Sequence, residues 1–331
     1  FGPRVVGGAV YLSAFDEGND RLTLWRSDGT TFGTKRVRRA AAAPGREGAL
    51  FDVQNFGSLG SRVIFLASLG GRATIWSADG LVAHPLSQVP SYAISSGLRV
   101  GDSLYFTLSF PNAPPEIWRT RGTPETTARV LSPYPVCGNG IRMVANRRLL
   151  LEVALRDGRG CELARLDEVP GAETRLVPLG DIAHPGESSR PRDLVATDEG
   201  LLFLASPEDS RFPLWRSNGQ SEQTVEVGEI TNSPTALATH LSRGQGGAFY
   251  LDHASSTPDV FGWTDGHVIR PLVSEPTLRL DSRLFALVDR TLVFVQRDLG
   301  GPNGEHRIDL VASDGTVVGT EILNVAPEIA A

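Results

Sequence analysis

A phrase that keeps returning constrains this chain more than anything else in it. Residues 24–34 read "LWRSDGTTFGT", and related phrases stand at 75–80 ("IWSADG"), 117–123 ("IWRTRGT"), 214–219 ("LWRSNG") and 310–320 ("LVASDGTVVGT"). With the tryptophan as anchor, four copies are centred on Trp25, Trp76, Trp118 and Trp215, and three degenerate copies on Ala164, Gly262 and Val311. The intervals are 51, 42, 46, 51, 47 and 49 residues, about 48 on average, so seven copies fill the 331-residue chain. A period of this size belongs to propeller blades, kelch-type units or helix-pair repeats.

The content of each copy decides between them. Ahead of every anchor lies a short apolar run: "AVYLSAF" (9–15), "RVIFLASL" (62–69), "SLYFTLSF" (103–110), "RLLLEVAL" (148–155), "LLFLAS" (201–206), "GAFYLD" (247–252) and "TLVFVQ" (291–296). These runs are short, rich in β-branched and aromatic residues, and bounded by Gly, Pro or charge, which makes them strands. Several are apolar at consecutive positions, as a strand is when both its faces are buried. Helical repeats need long periodic segments, and none is present. The 36 glycines and 22 prolines supply the turns that many short strands require.

The expected fold is therefore all-β: one domain over 1–331, a seven-bladed β-propeller of four-stranded antiparallel blades. Approximate blades are 1–39, 48–89, 93–132, 140–178, 190–230, 234–274 and 281–325. The fifth copy gives the clearest strand order, with A at 192–197, B at 200–206, C at 212–219 and D at 224–230. Asp28-Gly29, Asp79-Gly80, Asn218-Gly219, Asp265-Gly266 and Asp314-Gly315 then fall at tight C–D hairpins, where positive φ is required. The tryptophan ring is expected in the wedge between neighbouring blades. "PRVVG" (3–7) and "TEILNV" (320–325) give the first and last blades their own outermost segments, so no strand is expected to be shared between the termini.

"LWRSDGTTFGT" resembles the ELWxxDGT repeat family of bacterial, mostly surface or secreted proteins. The stretch "VPLGDIAHPGESSRPRDLVATDEGLLFLAS" (177–206) is also similar to that family's linker and following hairpin. Copies one and seven match well, two, three and five in part, four and six poorly; Arg121 replaces the turn aspartate in copy three. The resemblance implies a propeller in an extracytoplasmic setting and carries over no catalytic residues.

Signatures of catalysis are missing. The Trp precedes the Asp-Gly pair, unlike a sialidase Asp box, and neither quinoprotein blades nor WD repeats share this order. The six histidines show no metal-ligand spacing and read as isolated surface or loop residues. "GGPNGEH" (300–306) lacks the Lys-Ser/Thr of a phosphate loop, and no G-x-S-x-G elbow occurs. In "DEGND" (16–20), Asp16 and Asp20 offer oxygens of the kind Ca²⁺ takes, but without EF-hand spacing a solvated acidic turn is preferred and no cofactor is expected.

A formal charge of −6 argues against nucleic acid as a partner, and no apolar run is long enough for a membrane helix. Lys35, the only lysine among 32 basic residues, reflects base composition rather than mechanism. The first residue is Phe, so the lack of a leader within the sequence says nothing about secretion. The D–A and B–C connections vary most, and variable loops on a rigid frame are where recognition sits. Phe56, Tyr92, Tyr134, Arg190 and Arg192 are the binding candidates on that face. Cys137 precedes blade four and Cys161 lies in its B–C loop, so by strand order both fall at one end of that blade and are expected to form a disulfide. A persistent bridge places the protein outside the reducing cytoplasm. The expected function is a non-enzymatic extracytoplasmic module that binds a protein or glycan; a propeller hydrolase or lyase with acid/base residues around a central channel is the alternative.

Overall fold

A computed structural model describes residues 3–16, 21–40, 51–69, 72–89, 93–94, 97–110, 112–130, 135–145, 148–154, 160–167, 175–180, 182, 187–206, 213–230, 236–254, 260–274, 278–289, 291–298 and 307–323. They form seven sheets, each built on an antiparallel meander whose strands A to D follow in chain order. The sheets begin with Arg4–Val6, Phe51–Leu59, Ala93–Ile94 together with Leu98–Val100, Val136–Ala145, Arg192–Ala196, Ala236–Gly244 and Leu278–Val288. Among the described residues, the helical elements are two single 3-10 turns, Pro124–Thr126 and Ser221–Gln223. The chain divides into two compact units, Phe1–Ala154 with Arg165–Val177, and Leu155–Ala164 with Pro178–Ala331.

The B strands bury both faces, as their unalternating sequences require. The first six residues of Ser103–Phe110 are buried, and so are all four of Leu201–Leu204. In the first unit, Tyr11 and Leu24 of sheet one pack with Phe65 and Trp76 of sheet two in one cluster. In the second unit, Phe261 of sheet six lies 5.6 Å from Phe249 and 4.3 Å from Phe294 of sheet seven, ring centre to ring centre.

Register shows that the anchors are equivalent positions. Each pairs with a large apolar residue on strand B: Trp25 with Leu12, Trp76 with Phe65, Trp118 with Phe106, Trp215 with Phe203, and Val311 with Phe294. In sheet six the bulk changes strands. Gly262 sits at the anchor, and a Cβ there would collide with the ring of its partner Tyr250, which occupies the space instead. Trp76 is fully buried, whereas Trp25, Trp118 and Trp215 are partly buried.

The Asp-Gly turns differ from expectation. Sheet two alone makes the two-residue hairpin, with strand C ending at Asp79 and strand D starting at Val82. Sheets one, three, five and seven instead close a wider loop with a hydroxyl pair seven residues apart: Ser27–Thr34 at 2.7 Å, Thr120–Thr127 at 2.6 Å, Ser217–Thr224 at 2.7 Å and Ser313–Thr320 at 2.7 Å. Inside the first loop, Asp28 Oδ1 accepts from the Thr30 amide (3.0 Å) and hydroxyl (2.7 Å), and Thr30 Oγ1 accepts from the Gly33 amide (2.9 Å). The seventh loop repeats this through Asp314, Thr316 and Gly319. A Cβ at Gly33 or Gly319 would strike the aspartate carboxylate, which explains the second glycine of the phrase. The first glycine takes φ +91° at Gly29 and +94° at Gly315. Where Arg121 replaces the aspartate, Thr126 Oγ1 accepts from the Arg121 and Thr123 amides instead. Where the hydroxyl pair is present the sequence thus encodes a wider loop; the exceptions are the Asp79-Gly80 hairpin and the Asp265-Gly266 turn, where Asp265 Oδ1 accepts from the His267 and Val268 amides at 2.8 Å each.

Sheet boundaries also differ at one point. Arg38–Arg39, placed by sequence at the end of blade one, adds a parallel strand to the D edge of sheet two, opposite Val82 and Ala83. At the ends of the chain, Arg4–Val6 pairs with strand B of sheet one and Thr320–Leu323 with strand C of sheet seven.

Hydrogen bonds from the Thr30 hydroxyl and amide hold the Asp28 carboxyl below its ordinary value of 3.8, and Thr316 does the same for Asp314. A depressed folded value means that the loop's stabilisation is complete above the unfolded value and is lost as pH falls through the folded one. Exchange protection of the Thr30 and Thr316 amides is therefore expected to hold above about pH 4 and to drop below it. Protection unchanged down to about pH 2 would contradict this account.

Candidate functional site

Of the sequence-derived candidates, Arg190 and Arg192 enter a structured site. Phe56 lies in strand A of sheet two, opposite Phe65. Tyr92 and Tyr134 lie outside the described residues, as does Asp20; Asp16 is the last residue of strand B in sheet one. Among the described residues, no group of three or more His, Cys, Asp or Glu is placed to hold a metal ion.

The site is built on the segment Ser189–Asp193, which leads into strand A of sheet five. Ser189 is fully buried; its amide (3.1 Å) and its hydroxyl (3.3 Å) both donate to the Cys161 carbonyl. The Cys161 amide donates to Ser188 Oγ at 3.0 Å, and the Ser206 amide to the Ser189 carbonyl at 2.7 Å. The linker is thereby fixed to sheet four on one side and to strand B of sheet five on the other. From this fixed point the backbone passes through two left-handed residues that are not glycine, Arg190 at φ +44° and Asp193 at φ +50°. Each such residue costs about 1–3 kcal/mol and persists only where its surroundings over-determine it.

Asp193 sits where the pairing of strands A and B slips, between Arg192↔Leu204 and Val195↔Leu202. A bulge of this kind re-aims a side chain. The Asp193 carboxylate meets His240 of sheet six, Oδ1 to Nδ1 at 3.5 Å. Arg192 is half-buried, and this burial lowers the pKa of its guanidinium, opposed by the neighbouring charge of Asp193. An acid and an imidazole thus meet next in sequence to a half-buried arginine, on a backbone held from both sides. Such a group suits recognition of an anionic or hydrogen-bonding ligand.

Sequence reasoning passed over Asp193 and His240, yet a signal was there. They stand 47 residues apart, the same interval as the anchors Trp215 and Gly262. His240 pairs with Leu251, the residue after the anchor's partner Tyr250, just as Arg192 pairs with Leu204, the residue after Phe203. By register the equivalent of His240 is Arg192, and Asp193, the next residue in the bulge, is the one that meets it. His240 is exposed, a surface residue as expected, but it stands in a strand and is not isolated, because Asp193 meets it.

Cys137 and Cys161 are disulfide-bonded. Cys137 belongs to strand A of sheet four, Val136–Ala145, and not to the connection before it; Cys161 is the first residue of strand C. The bridge lies at the end of the sheet where strand B stops at Ala154. The staple and the candidate site are joined directly, because Cys161 is the residue that holds Ser188 and Ser189.

No family model matches the chain, and no curated protein matches it either. Solved structures do. A prolyl endopeptidase structure aligns at 11% identity with a TM-score of 0.51, covering 98% of this chain and 49% of its own. Prolyl oligopeptidase B from Galerina marginata aligns at 11% identity with a TM-score of 0.52, covering 95% and 46%. The β-propeller domain of the Trilobed protease from Pyrococcus furiosus is 13% identical, with a TM-score of 0.46 and coverage of 98% and 95%. The fold is a seven-bladed β-propeller. This propeller spans about half the length of the two peptidases it matches.

Closing a loop of about 25 residues, the disulfide contributes about 3 kcal/mol in the chain-entropy description. Replacing Cys137 and Cys161 together by Ser is expected to lower the melting temperature by roughly 5 °C and to increase exchange at the Ser189 amide. A melting temperature unchanged by the double replacement would show that packing alone holds the sheet.

Proposed function

We propose that this propeller is a non-enzymatic binding module that works outside the cytoplasm. It engages a protein or glycan partner through Arg190, Arg192, Asp193 and His240. One observation carries the reading: the half-buried Arg192 is flanked by two non-glycine residues held in left-handed backbone. Strain of this kind is retained where it positions a group for use. The disulfide supports an oxidising compartment. Among the described residues no helix is long and apolar enough to cross a membrane. The resemblance of "LWRSDGTTFGT" to a family of surface and secreted repeats points the same way.

A second reading has its own observation. The chain matches about half of two prolyl peptidases, so a propeller serving a peptidase is the alternative. Under the binding reading the chain by itself does not cleave prolyl peptides. Turnover that disappears in His240→Ala would transfer the site to the hydrolase reading.

The direct test separates strain from stability. Asp193→Gly relieves a left-handed φ and is expected to raise stability by about 1 kcal/mol while weakening capture of the partner from a native surface fraction. Arg192→Ala is expected to weaken that capture by about tenfold or more. Undiminished capture by both variants would remove this segment from the binding surface.

A further inference from the structure

The first unit carries a second charged feature, independent of the Arg192 site. Lys35, Arg36, Arg38 and Arg39 put four cations into five residues of a chain whose formal charge is −6. They line an open cleft of about 640 Å³ whose floor is completed by Leu81 and Val82.

The backbone of this segment is clamped. The Val37 amide donates to the Leu24 carbonyl of sheet one at 2.9 Å, and the Val37 side chain is fully buried. One residue later the chain transfers to sheet two, where the Arg38 amide donates to Leu81 (2.9 Å) and the Ala40 amide to Ala83 (2.6 Å). Lys35 and Arg36 therefore stand on one sheet, and Arg38 and Arg39 on the next, in a fixed relation. Aromatic rings support the first pair: Lys35 Nζ is 4.6 Å from the Phe32 ring centre, and the Arg36 guanidinium is 5.5 Å from that of Trp25. Phe32 is nonetheless 86% exposed.

We infer that this cleft is a binding site for an acidic polysaccharide, one whose sugars carry carboxylate groups. Guanidinium groups take carboxylates in paired hydrogen bonds, and the ammonium group adds a point charge. The apolar face of a sugar ring matches the exposed face of Phe32 and the apolar floor at Leu81 and Val82. The negative charge of the whole chain disfavours a densely charged phosphate polymer more than a sparsely charged glycan.

Titration of the intact protein with hyaluronan, which carries one carboxylate per disaccharide, neutral dextran and single-stranded DNA tests this. Hyaluronan is expected to bind, to weaken steadily with added salt, and to outcompete DNA; dextran is expected not to bind. Reversing the two exposed charges, Lys35→Glu with Arg38→Glu, should lower the affinity by about tenfold or more without changing the melting temperature. Phe32→Ser should lower it several-fold and leave the salt dependence alone, whereas Arg192→Ala should leave it unchanged. If the charge reversal unsettles the fold, Lys35→Gln with Arg38→Gln makes the same comparison. Binding no stronger than that of dextran, indifference to the charge changes, or a preference for DNA would each overturn the assignment.

Discussion

A strand that is apolar on both faces cannot be satisfied within its own sheet. It has to be covered twice, and in this chain successive copies of the repeat do the covering. Leu201–Leu204 exposes no residue, and the Phe249, Phe261 and Phe294 rings run from one sheet into the next. Burial of each such ring is worth about 1.5–3 kcal/mol, and for Phe261 part of it comes from Phe294 of the neighbouring sheet. Stability in such an array is a sum of nearest-neighbour interfaces, so the anchor position matters more than any single residue type. Sheet six shows this by moving its bulk from strand C to Tyr250 while keeping the pairing with Gly262.

The number of sheets and the order of their strands were legible because anchor and apolar run recur together with a fixed relation. The loops were not. Asp-Gly is a strong local signal for a tight hairpin. What overrides it is a hydroxyl at the second position after the anchor meeting a threonine seven residues later, as in Ser27–Thr34 and Ser313–Thr320. That pairing lies outside the four-residue window of turn chemistry. The parallel strand at Arg38–Arg39 was invisible for a related reason: two residues carry no periodicity, and only the neighbouring edge at Val82 and Ala83 makes them a strand.

The candidate site was half legible. Arg190 and Arg192 were placed by their position in a variable connection. Asp193 and His240 required two facts that composition does not contain, a bulge in sheet five and the meeting of equivalent strands on successive sheets. Comparing residues at the repeat interval, rather than looking for metal or triad spacing, would have paired them.

Departures from the repeat are not spread evenly. Copy four has Ala164 where the ring should be, and copy six has Gly262; they flank copy five, where the strained Arg190–Asp193 segment lies. A rule-abiding sheet four would hold its edges by packing around a tryptophan. This one uses ion pairs of Arg148 and Arg165 with Asp167, at 3.5 and 3.0 Å, and a covalent bridge. The bridge also fixes Cys161, and the Cys161 carbonyl fixes Ser189, the residue next to Arg190. A disulfide does not relax when a ligand arrives or leaves, so it suits a platform that must keep two residues in left-handed backbone. Packing around a ring would hold the sheet equally well, but a covalent link transmits that rigidity to a particular carbonyl. The loss of the repeat in copy four and the presence of a rigid site beside it are, on this reading, one arrangement.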